Sequence, residues 1–499
     1  MNIQCLRASH KMSFHICFLN SSLFLSFLLT AVGGVSGLAQ SVGGKPNFIV
    51  INIDDLGYGD IGPFGAKTKK TPTLNRMALE GQKLLSHYGA PVCSPSRASL
   101  MTGCYPKRVL PIAHVLFPAA AVGLNPNERT IAEVLHDNGY ATACIGKWHL
   151  GDQPEFLPTQ QGFDYYFGLP YSNDMGTIAD GAKSSFGVPL PRSPVRDAAQ
   201  PDDGLGLRGN MQPPLPLLEN DRVVERVRAE EQATLTARYT DKALAFIRDH
   251  RQKPFFLYLP HTAVHFPHYP SSDFRGQSQG GLFGDWVQEI DFQVGRLFDE
   301  LRSSGLDRTT MVIFTSDNGG PTGQGAVNKP LRGSKGQTYE GGIRVPTIVW
   351  WPGKVPSGTE TSAITSMMDL LPTLANLSGS KIPSDRTIDG VDIWPVLSGS
   401  KTENSQGSTE GRRDFYYFRG LELEAVRQGA WKLHLAKNEL YDLQRDIAES
   451  KNLFSAHPDV VQSLQRLAEK MDTDLGRHDV GPGCRELGRV SLPKPLLAP

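Results

Sequence analysis

The chain has 499 residues, of which 39% are hydrophobic, and 51 acidic and 51 basic side chains give it a formal net charge of zero. This balance excludes a global attraction to nucleic acid or to an anionic membrane, and the length is sufficient for a large core. The 51 Gly and 36 Pro residues predict long functional loops, although the composition is not that of a disordered protein.

The amino terminus is typical of a secretory signal peptide. Arg7 and Lys11 precede an apolar run over residues 22–32, and small residues end at a candidate cleavage site after Ala39. We interpret residues 1–39 as a signal peptide because the run is short for a membrane span, with an uncleaved anchor as the alternative. The sequence therefore predicts a secreted or periplasmic protein with no membrane span after signal removal.

Five short apolar runs predict buried strands, and four periodic segments predict helices between them. The runs lie at residues 48–53, 141–145, 255–259, 311–315 and 347–351. Their near-continuous hydrophobicity is typical of strands covered on both faces, as in a mostly parallel sheet. The helical segments lie at residues 130–138, 237–250, 286–305 and 367–377. This alternation predicts a doubly wound α/β sandwich over residues 45–397.

The remaining segments have other patterns. Residues 173–222 are rich in Gly, Pro, Asp and Ser and predict a long surface loop. After a polar stretch, four short apolar runs at residues 415–418, 423–426, 431–435 and 440–443 predict a small antiparallel sheet, with a helix near residues 460–475. We therefore expect a carboxyl-terminal subdomain over residues 414–476 and a tail over residues 477–499.

The cysteines are too few for a disulfide framework. After signal removal the chain keeps Cys93, Cys104, Cys144 and Cys484, which are scattered and lack the C-x-x-C spacing of a zinc site. At least one of them needs another explanation.

Polar residues follow the predicted strands at the point where each strand ends. They are Asp54 and Asp55, Lys147 and His149, His261 and His265, and Asp317 and Asn318. In open α/β sheets the carboxyl ends of the strands border one crevice where ligands bind. Four such clusters therefore indicate a single site. His261 is equally well explained as a loop histidine without a function.

The acidic members of these clusters indicate a hard metal ion. Asp54, Asp55 and Asp317 with Asn318 supply only oxygen ligands, and three crowded negative charges need a cation. Oxygen donors favour Ca²⁺ or Mg²⁺ over zinc or copper. Any one of these carboxylates alone is more simply explained by a turn or a cap, but two groups at equivalent strand ends favour the metal.

Cys93 lies at a predicted helix start, with Pro95 in the first turn and Gly103 at the helix end. Free N–H groups at such a position attract an anion. A cysteine there is either an activated thiolate or a buried bystander, and a soft thiolate is a poor companion for an oxygen-ligated calcium ion. The pattern therefore favours a different chemical group at position 93.

The residues 93–97, CSPSR, resemble the C-x-P-x-R signature of the type I sulfatases, whose cysteine is oxidised to formylglycine. Further family hallmarks follow in the expected order at residues 54–60, 146–151, 315–319 and 336–342. The resemblance covers about residues 45–475 and is closest to the arylsulfatase A and N-acetylgalactosamine-6-sulfatase branches. Five ordered matches are far more specific than one.

This resemblance implies an alkaline-phosphatase-like fold, residues 45–397 as the catalytic domain, and a site that binds Ca²⁺, with Mg²⁺ as the alternative. It implies five metal ligands, which are Asp54, Asp55, Asp317, Asn318 and the modified Cys93. It implies that Arg97 and Lys147 hold the formylglycine hydrate and that His149 accepts a proton from it. Lys335 and His265 would contact the sulfate and leaving-group oxygens, and Ser172 would line the substrate site.

The implied activity is that of a sulfuric ester hydrolase, or arylsulfatase, that acts through a formylglycine sulfo-enzyme intermediate. Its expected partners are a sulfated small molecule or carbohydrate and a formylglycine-generating or sulfatase-maturing enzyme. Two alternatives are a phosphatase or phosphonate hydrolase of the same superfold and a degenerate protein that only binds sulfated glycans. We expect residues 104–127 and 173–222 to shape the pocket. Candidate groups there for a sugar carboxylate or second sulfate, or simply solvated side chains, are His114, Arg192, Arg196 and Arg208.

Overall fold

A computed structural model of the chain describes residues 44–189, 203–400, 412 and 414–498. The predicted signal peptide and the candidates Arg192 and Arg196 lie outside the described residues.

The strands are β1 (Asn47–Ile53), β2 (Gln82–Tyr88), β3 (Val122–Gly123), β4 (Ala141–Ile145), β5 (Tyr165–Gly168), β6 (Leu215–Glu219), β7 (Arg222–Val227), β8 (Phe255–Pro260), β9 (Thr310–Ser316), β10 (Arg344–Trp350), β11 (Thr359–Ser366), β12 (Asp414–Arg419), β13 (Glu422–Gln428), β14 (Trp431–His434), β15 (Glu439–Asp442) and β16 (Gly488–Arg489).

The α-helices are α1 (Pro72–Glu80), α2 (Cys93–Thr102), α3 (Pro106–Val109), α4 (Ile131–His136), α5 (Ala229–Gln232), α6 (Leu235–Asp249), α7 (Gly281–Ser303), α8 (Glu340–Ile343), α9 (Leu370–Ser378), α10 (Trp394–Leu397) and α11 (Pro458–Leu475). Short 3-10 helices lie at Gly62–Phe64, Pro154–Phe156, Pro158–Gln160, Gly209–Met211, Asp307–Thr309, Thr322–Gln324, Met367–Asp369 and Phe454–Ala456. Each predicted helix and strand corresponds to one of these elements, with ends shifted by a few residues.

Ten strands form the central sheet in the order β11-β2-β10-β9-β1-β8-β4-β5-β6-β7. The five strands from β9 to β5 are parallel, while β10, β6 and β7 join their neighbours in the antiparallel sense. At the centre, Ile51 lies opposite Leu259 of β8 and Phe314 of β9. This mixed, mostly parallel sheet confirms the predicted architecture.

Helices cover both faces of the sheet, as the near-continuous apolar strands predict. Alternate side chains of β1 enter two separate hydrophobic clusters, with Ile51 in one and Val50 in the other. The first cluster includes α1, α6 and α7, and the second includes α2, α4 and α9. Helix α4 begins at a capping box in which Thr130 accepts from the Glu133 amide at 3.1 Å. The core is therefore two layers of apolar side chains with the sheet between them.

The prediction of one long surface loop over residues 173–222 is wrong in part. Strand β6 lies inside that range and pairs with both β5 and β7, so it extends the central sheet. Leu215, Leu217 and Leu218 of this strand are fully buried. The strand escapes prediction because Pro216 and two preceding prolines give it the composition of a loop.

The second sheet is antiparallel, with the strand order β12-β13-β14-β15, and confirms the predicted carboxyl-terminal sheet. Helix α11 packs against it through Val461, Leu464 and Ala468. The tail returns to the main body, where β16 pairs with β3. The exact domain boundaries at residues 397, 414 and 476 stay a prediction. Among the described residues, no helix is both long enough and apolar enough to cross a membrane.

Backbone hydrogen bonds join the carboxyl ends of the central strands to one another. The Asp54 amide donates to Ala263 O at 2.9 Å, and the Lys147 amide donates to Pro260 O at 2.7 Å. The Asp317 amide donates to Ile53 O at 3.1 Å. The polar residues that follow these strands therefore lie together at one edge of the sheet.

Gly146 follows β4, and its substitution tests how closely the ends of β4 and β8 must approach each other. Its φ is +133°, and a Cβ atom there would lie 1.8 Å from Pro260 O. Gly146→Ala is therefore expected to lower the free energy of unfolding by on the order of 4 kcal/mol or more, measured by urea denaturation. Gly139→Ala is the matched control, because its φ is +81° but open space surrounds it, so the expected loss is only about 1–2 kcal/mol. Equal losses in the two variants would contradict the close approach.

Candidate active site

Four buried ligand-type side chains meet at the strand ends. Asp54 and Asp55 follow β1, Cys93 begins α2, and His265 follows β8. One ligand atom from each of these residues lies within 4.8 Å of the other three. Asp55 has a φ of +65°, a strained value for a residue that is not glycine. The structure therefore brings together three separate regions that the sequence assigns to one site.

Asp317 and Asn318 border this cluster from β9. Asp317 Oδ1 accepts from the Asp55 amide at 3.2 Å, and Asn318 Nδ2 donates to Asp55 Oδ1 at 2.7 Å. The Asn318 Oδ1 atom is buried and has no hydrogen-bond partner among the residues that the structure describes. A buried amide oxygen without a partner, beside three carboxylates, fits a hard cation such as Ca²⁺ or Mg²⁺. The donor set therefore fits the metal that the sequence predicts.

Three cations neutralise part of the acidic charge. Lys147 Nζ lies 2.6 Å from Asp54 Oδ2, and Lys335 Nζ lies 2.7 Å from Asp55 Oδ1. Arg97 donates two hydrogen bonds to Asp317 Oδ2, at 2.8 and 3.1 Å. All six side chains are buried except that of Lys335, which is 20% exposed. Lys335 is therefore the most solvent-accessible of the six side chains.

The surrounding charges shift the pKa values of the carboxylates in different directions. Burial alone would raise the pKa of Asp54, but the charges of Lys147, His265 and Arg97 hold that pKa well below its ordinary value. Burial and the negative charge of Asp54 raise the pKa of Asp317 to about 6. The protein's own cations thus stabilise the charge of Asp54 more effectively than that of Asp317.

Cys93 is a poor nucleophile in this environment. Its side chain is 2% exposed, and its Sγ atom lies 3.4 Å from Asp54 Oδ1. Burial, followed by the negative charge of Asp54, raises the pKa of the thiol far above neutral pH. The thiol therefore stays protonated, which agrees with the sequence argument that position 93 needs a different reactive group.

His149 is held as a neutral imidazole. Burial, together with the charges of Lys147 and Arg97, lowers the pKa of His149 well below its ordinary value. Its Nε2 atom lies 2.8 Å from Leu116 O, a carbonyl that can only accept, so Nε2 carries the proton. The buried Nδ1 atom has no hydrogen-bond partner within the described ranges. His149 can therefore accept a proton at Nδ1.

Ser172 links two other predicted site residues. Its Oγ atom accepts from Lys147 Nζ at 3.2 Å and lies 3.3 Å from His265 Nδ1. His265 Nε2 lies 3.6 Å from Asp55 Oδ2. The structure thus brings Ser172 and His265 into contact with Lys147 and Asp55. His261, by contrast, packs against Tyr239 in the core, where burial lowers its pKa to about 3.

The segment that carries Lys335 contacts two other parts of the site. The Lys335 amide donates to Gly320 O at 3.3 Å, and the Gly319 amide donates to Gly342 O at 3.0 Å, beside Asn318. The Gly336 amide donates to Pro91 O at 2.8 Å, just before Cys93. The position of this segment therefore affects both the acidic cluster and the start of α2.

A buried ion network, missed by the sequence analysis, anchors this segment to the carboxyl-terminal sheet. Lys432 of β14 lies 2.9 Å from both Glu340 and Glu449, and all three side chains are fully buried. Arg344 lies 3.2 Å from Glu340. Burial would raise the pKa of Glu340, but Lys432 and the nearby arginines hold it far below its ordinary value. Glu340 lies in the family hallmark at residues 336–342, whereas Lys432 and Glu449 belong to no sequence motif.

The mostly parallel ten-stranded sheet with its separate antiparallel sheet has the alkaline-phosphatase-like fold, and the buried cations and carboxylates at its strand ends suit a hydrolase of anionic esters. The sequence profile described as Sulfatase matches residues 46–380, and the profile described as N-sulphoglucosamine sulphohydrolase, C-terminal, matches residues 334–475. The chain belongs to the sulfatase family and is a sulfuric ester hydrolase.

Relatives and a solved structure agree with this assignment. The chain is 37% identical to arylsulfatase A from Homo sapiens over 486 residues, which cover 89% of this chain and 90% of that protein. It is 38% identical to N-acetylgalactosamine-6-sulfatase from Mus musculus over 430 residues, which cover 82% and 75% of the two chains. The structure of Ps i-CgsB in complex with k-i-k-neocarrahexaose has a TM-score of 0.72 and 29% identity, covering 87% of this chain and 95% of that one.

Lys432 provides a test of the buried network. Lys432→Met leaves Glu340 and Glu449 buried with one cation fewer, so the free energy of unfolding should fall by about 3–5 kcal/mol. Denaturant unfolding followed by tryptophan fluorescence measures the change. Lys451→Met, at an exposed position, is the control and should stay within about 0.5 kcal/mol of the parent chain. If the two variants were equally stable, the network would not hold the sheet in place.

Proposed function

We propose that this sulfatase hydrolyses sulfate esters of carbohydrates outside the cytoplasm, with a formylglycine made from Cys93 and a bound Ca²⁺ ion. The observation that carries the proposal is the position of Cys93 at the start of α2, with its Sγ atom 3.4 Å from Asp54 Oδ1. Mg²⁺ is the alternative cation.

The metal would be held by Asp54, Asp55, Asp317, Asn318 and the modified side chain at position 93. His265 belongs to the same geometric cluster, but its proposed contact is with the substrate rather than with the ion. When bound, the ion supplies positive charge to the oxygens of the sulfate group. The unpartnered Asn318 Oδ1 atom and the all-oxygen donor set support this assignment.

A formylglycine hydrate at position 93 would supply two hydroxyl groups, one as a nucleophile towards sulfur and one for the later release of sulfate. Arg97, Lys147 and Lys335 stabilise the anionic oxygens by charge and hydrogen bonding. His149 accepts the proton of the second hydroxyl at Nδ1, because its Nε2 proton is engaged by Leu116 O. His265 and Ser172, 3.3 Å apart, contact the leaving-group side of the substrate.

Two arguments support a sulfated carbohydrate as the substrate. One relative is named for N-acetylgalactosamine 6-sulfate, and the similar solved structure holds an oligosaccharide. The predicted signal peptide supports a secreted or periplasmic location, where such substrates occur. The maturing enzyme must reach Cys93 before folding is complete, because that side chain is 2% exposed in the folded chain.

Cys93 provides the direct test of the covalent cycle. In active protein, the peptide that contains position 93 should be about 18 mass units lighter than the thiol form. Cys93→Ser should lower the turnover of 4-nitrophenyl sulfate by at least about 1000-fold, because the reactive group is gone. Cys484→Ser, at a partly exposed cysteine outside the site, is the control and should keep its turnover.

Two results would refute this proposal. One is repeated turnover by Cys93→Ser, and the other is an unmodified thiol mass in fully active protein. Parallel assays with 4-nitrophenyl phosphate separate the sulfatase from a phosphatase of the same fold. The sulfate ester should be the better substrate.

Metal binding tests the acidic cluster without relying on activity. Titration calorimetry of chelator-treated protein should show one Ca²⁺ site, and Asp55→Asn should weaken its affinity by at least about 100-fold. Asp241→Asn is the control, since that carboxylate is 62% exposed and pairs with Arg296 at 2.7 Å on the helix surface. Undiminished Ca²⁺ affinity in Asp55→Asn would show that the metal does not bind at this site.

A further inference from the structure

A cleft of about 950 Å³ lies between the edge of the central sheet and the carboxyl-terminal sheet. Residues 361–364 of the edge strand β11 form one wall, and residues 427–430, where β13 turns into β14, form a second. Residues 443–445, which follow β15, form a third. Within the described residues, no member of the candidate active site lines this cleft, so the cleft is a separate feature of the surface.

The charged side chains that line the cleft are all arginines. They are Arg344, Arg412, Arg427 and Arg445, and the described part of the lining contains no aspartate or glutamate. The first three of these arginines are 4%, 9% and 6% exposed. A buried guanidinium needs an opposite charge nearby, because it cannot lose its proton and its removal from water is costly. The carboxylates behind the walls therefore decide whether the cleft keeps a positive charge.

Two of these arginines have carboxylates of their own. Arg412 Nη2 lies 2.6 Å from Asp369 Oδ1, and both side chains are buried. Arg445 is 88% exposed, and its Nε atom lies 3.7 Å from Asp442 Oδ2. The charge of Arg412 is therefore neutralised, whereas Arg445 forms only a loose, solvated ion pair at the solvent side of the cleft.

The other two arginines belong to one buried network. The Tyr88 hydroxyl donates to Glu340 Oε2 at 2.6 Å and accepts from Arg427 Nη1. Arg344 Nη1 lies 3.2 Å from the same oxygen of Glu340. Both guanidinium groups therefore depend on a single carboxylate.

That carboxylate also serves a third cation, Lys432, at 2.9 Å. Glu449 contacts Lys432 at 2.9 Å as well, so three cations share two carboxylates in this network. Arg427 is the cation that contacts neither carboxylate. Its Nε donates to a carbonyl of the β13–β14 turn at 2.8 Å and its Nη1 to the tyrosine hydroxyl, while its Nη2 has no hydrogen-bond partner in the part of the chain that the structure describes. Arg427 therefore brings an unbalanced positive charge to the wall of the cleft.

From this geometry we propose that the cleft binds a sulfated sugar, with the sulfate group at Arg427 and with Arg445 on the solvent side of the same anion. The proposal rests on the proposed function, because it gives a sulfated carbohydrate a second contact on the enzyme, outside the active site.

The size and the remaining lining of the cleft suit a sugar. Its volume is near the upper end of the range of about 300–1,000 Å³ for pockets that bind small organic molecules. Thr361, Ser362 and Gln444 supply polar side chains to the lining, and Leu443 and Ile447 supply aliphatic ones. A sugar ring has hydroxyl groups for the former and apolar C–H faces for the latter. The planar fork of a guanidinium matches the oxygens of a sulfate group.

The test measures binding by titration calorimetry on the full chain, with the active site disabled by Cys93→Ser and Lys335→Met. N-acetylgalactosamine 6-sulfate and galactose 4-sulfate are the probes, and each is compared with its unsulfated sugar and with sodium sulfate. At least one sulfated sugar should bind at one site, at least tenfold more tightly than its unsulfated form and than sodium sulfate. The unsulfated sugar tests the anion contact, and sodium sulfate tests the sugar contact.

Further variants in the same background assign the binding to the cleft. Arg427→Gln should weaken it at least tenfold, because the neutral amide removes the unbalanced charge. Arg445→Gln should weaken it about threefold, as expected for a solvated charge. Because Arg445 is 88% exposed, its substitution leaves the fold intact even if Arg427→Gln is unstable. Arg222→Gln, at an exposed position on β7, is the control and should keep the full affinity.

Each outcome decides the proposal. Absence of binding by both sulfated sugars, or an affinity that is unchanged in both Arg427→Gln and Arg445→Gln, would overturn it. Equally tight binding of the unsulfated sugar, or of sodium sulfate, would overturn the assignment to a sulfated sugar, and the second result would identify a site for the free anion. Failure of the parent chain to hydrolyse 4-nitrophenyl sulfate is a separate result that would contradict the proposed function.

Discussion

The burial of ionised side chains at one edge of the central sheet is the constraint on which the rest of the structure depends. Asp54 and Lys147 are completely buried, and Arg97 is 1% exposed. Removing such charges from water costs several kcal/mol for each ion unless an opposite charge lies in hydrogen-bonding contact. Each pair here joins residues from different segments of the chain, and Lys147 and Asp54, 2.6 Å apart, follow two different strands. Correct lateral register of the strands is therefore a condition for a stable site.

The sequence predicts the parts of this arrangement that local patterns encode. The apolar runs identify five adjacent strands of the sheet, β10, β9, β1, β8 and β4. The polar residues that follow the four parallel strands among them identify most of the candidate site, because parallel strands end at the same edge of a sheet. The Glu340–Lys432–Glu449 network could not be found in this way. Lys432 and Glu449 lie 92 and 109 residues after Glu340 in the chain. A single buried lysine in a strand also produces no periodic pattern. Strand β6 escaped prediction for the opposite reason, since its local composition is misleading.

The surroundings of position 93 suit a neutral hydrogen-bond donor. A thiolate there would lie 3.4 Å from the Asp54 carboxylate in a buried space, where two like charges repel strongly. A hydroxyl group can donate to the same carboxylate oxygen and still offer lone pairs to a cation. The environment that makes the thiol unreactive is therefore compatible with the hydrated aldehyde that the sulfatase family uses at this position.

The carboxyl-terminal sheet supports two segments that lie near the active site. Its buried Lys432 fixes the segment that carries Lys335, and its β12–β13 turn lies against the backbone before His114. Several buried ion pairs hold the acidic side chains of the site in place, so a substitution of any of these residues should be destabilising. The imidazole of His114 itself is exposed. The carboxyl-terminal sheet therefore fixes two segments that are far apart in the sequence, the one that carries Lys335 and the one that precedes His114.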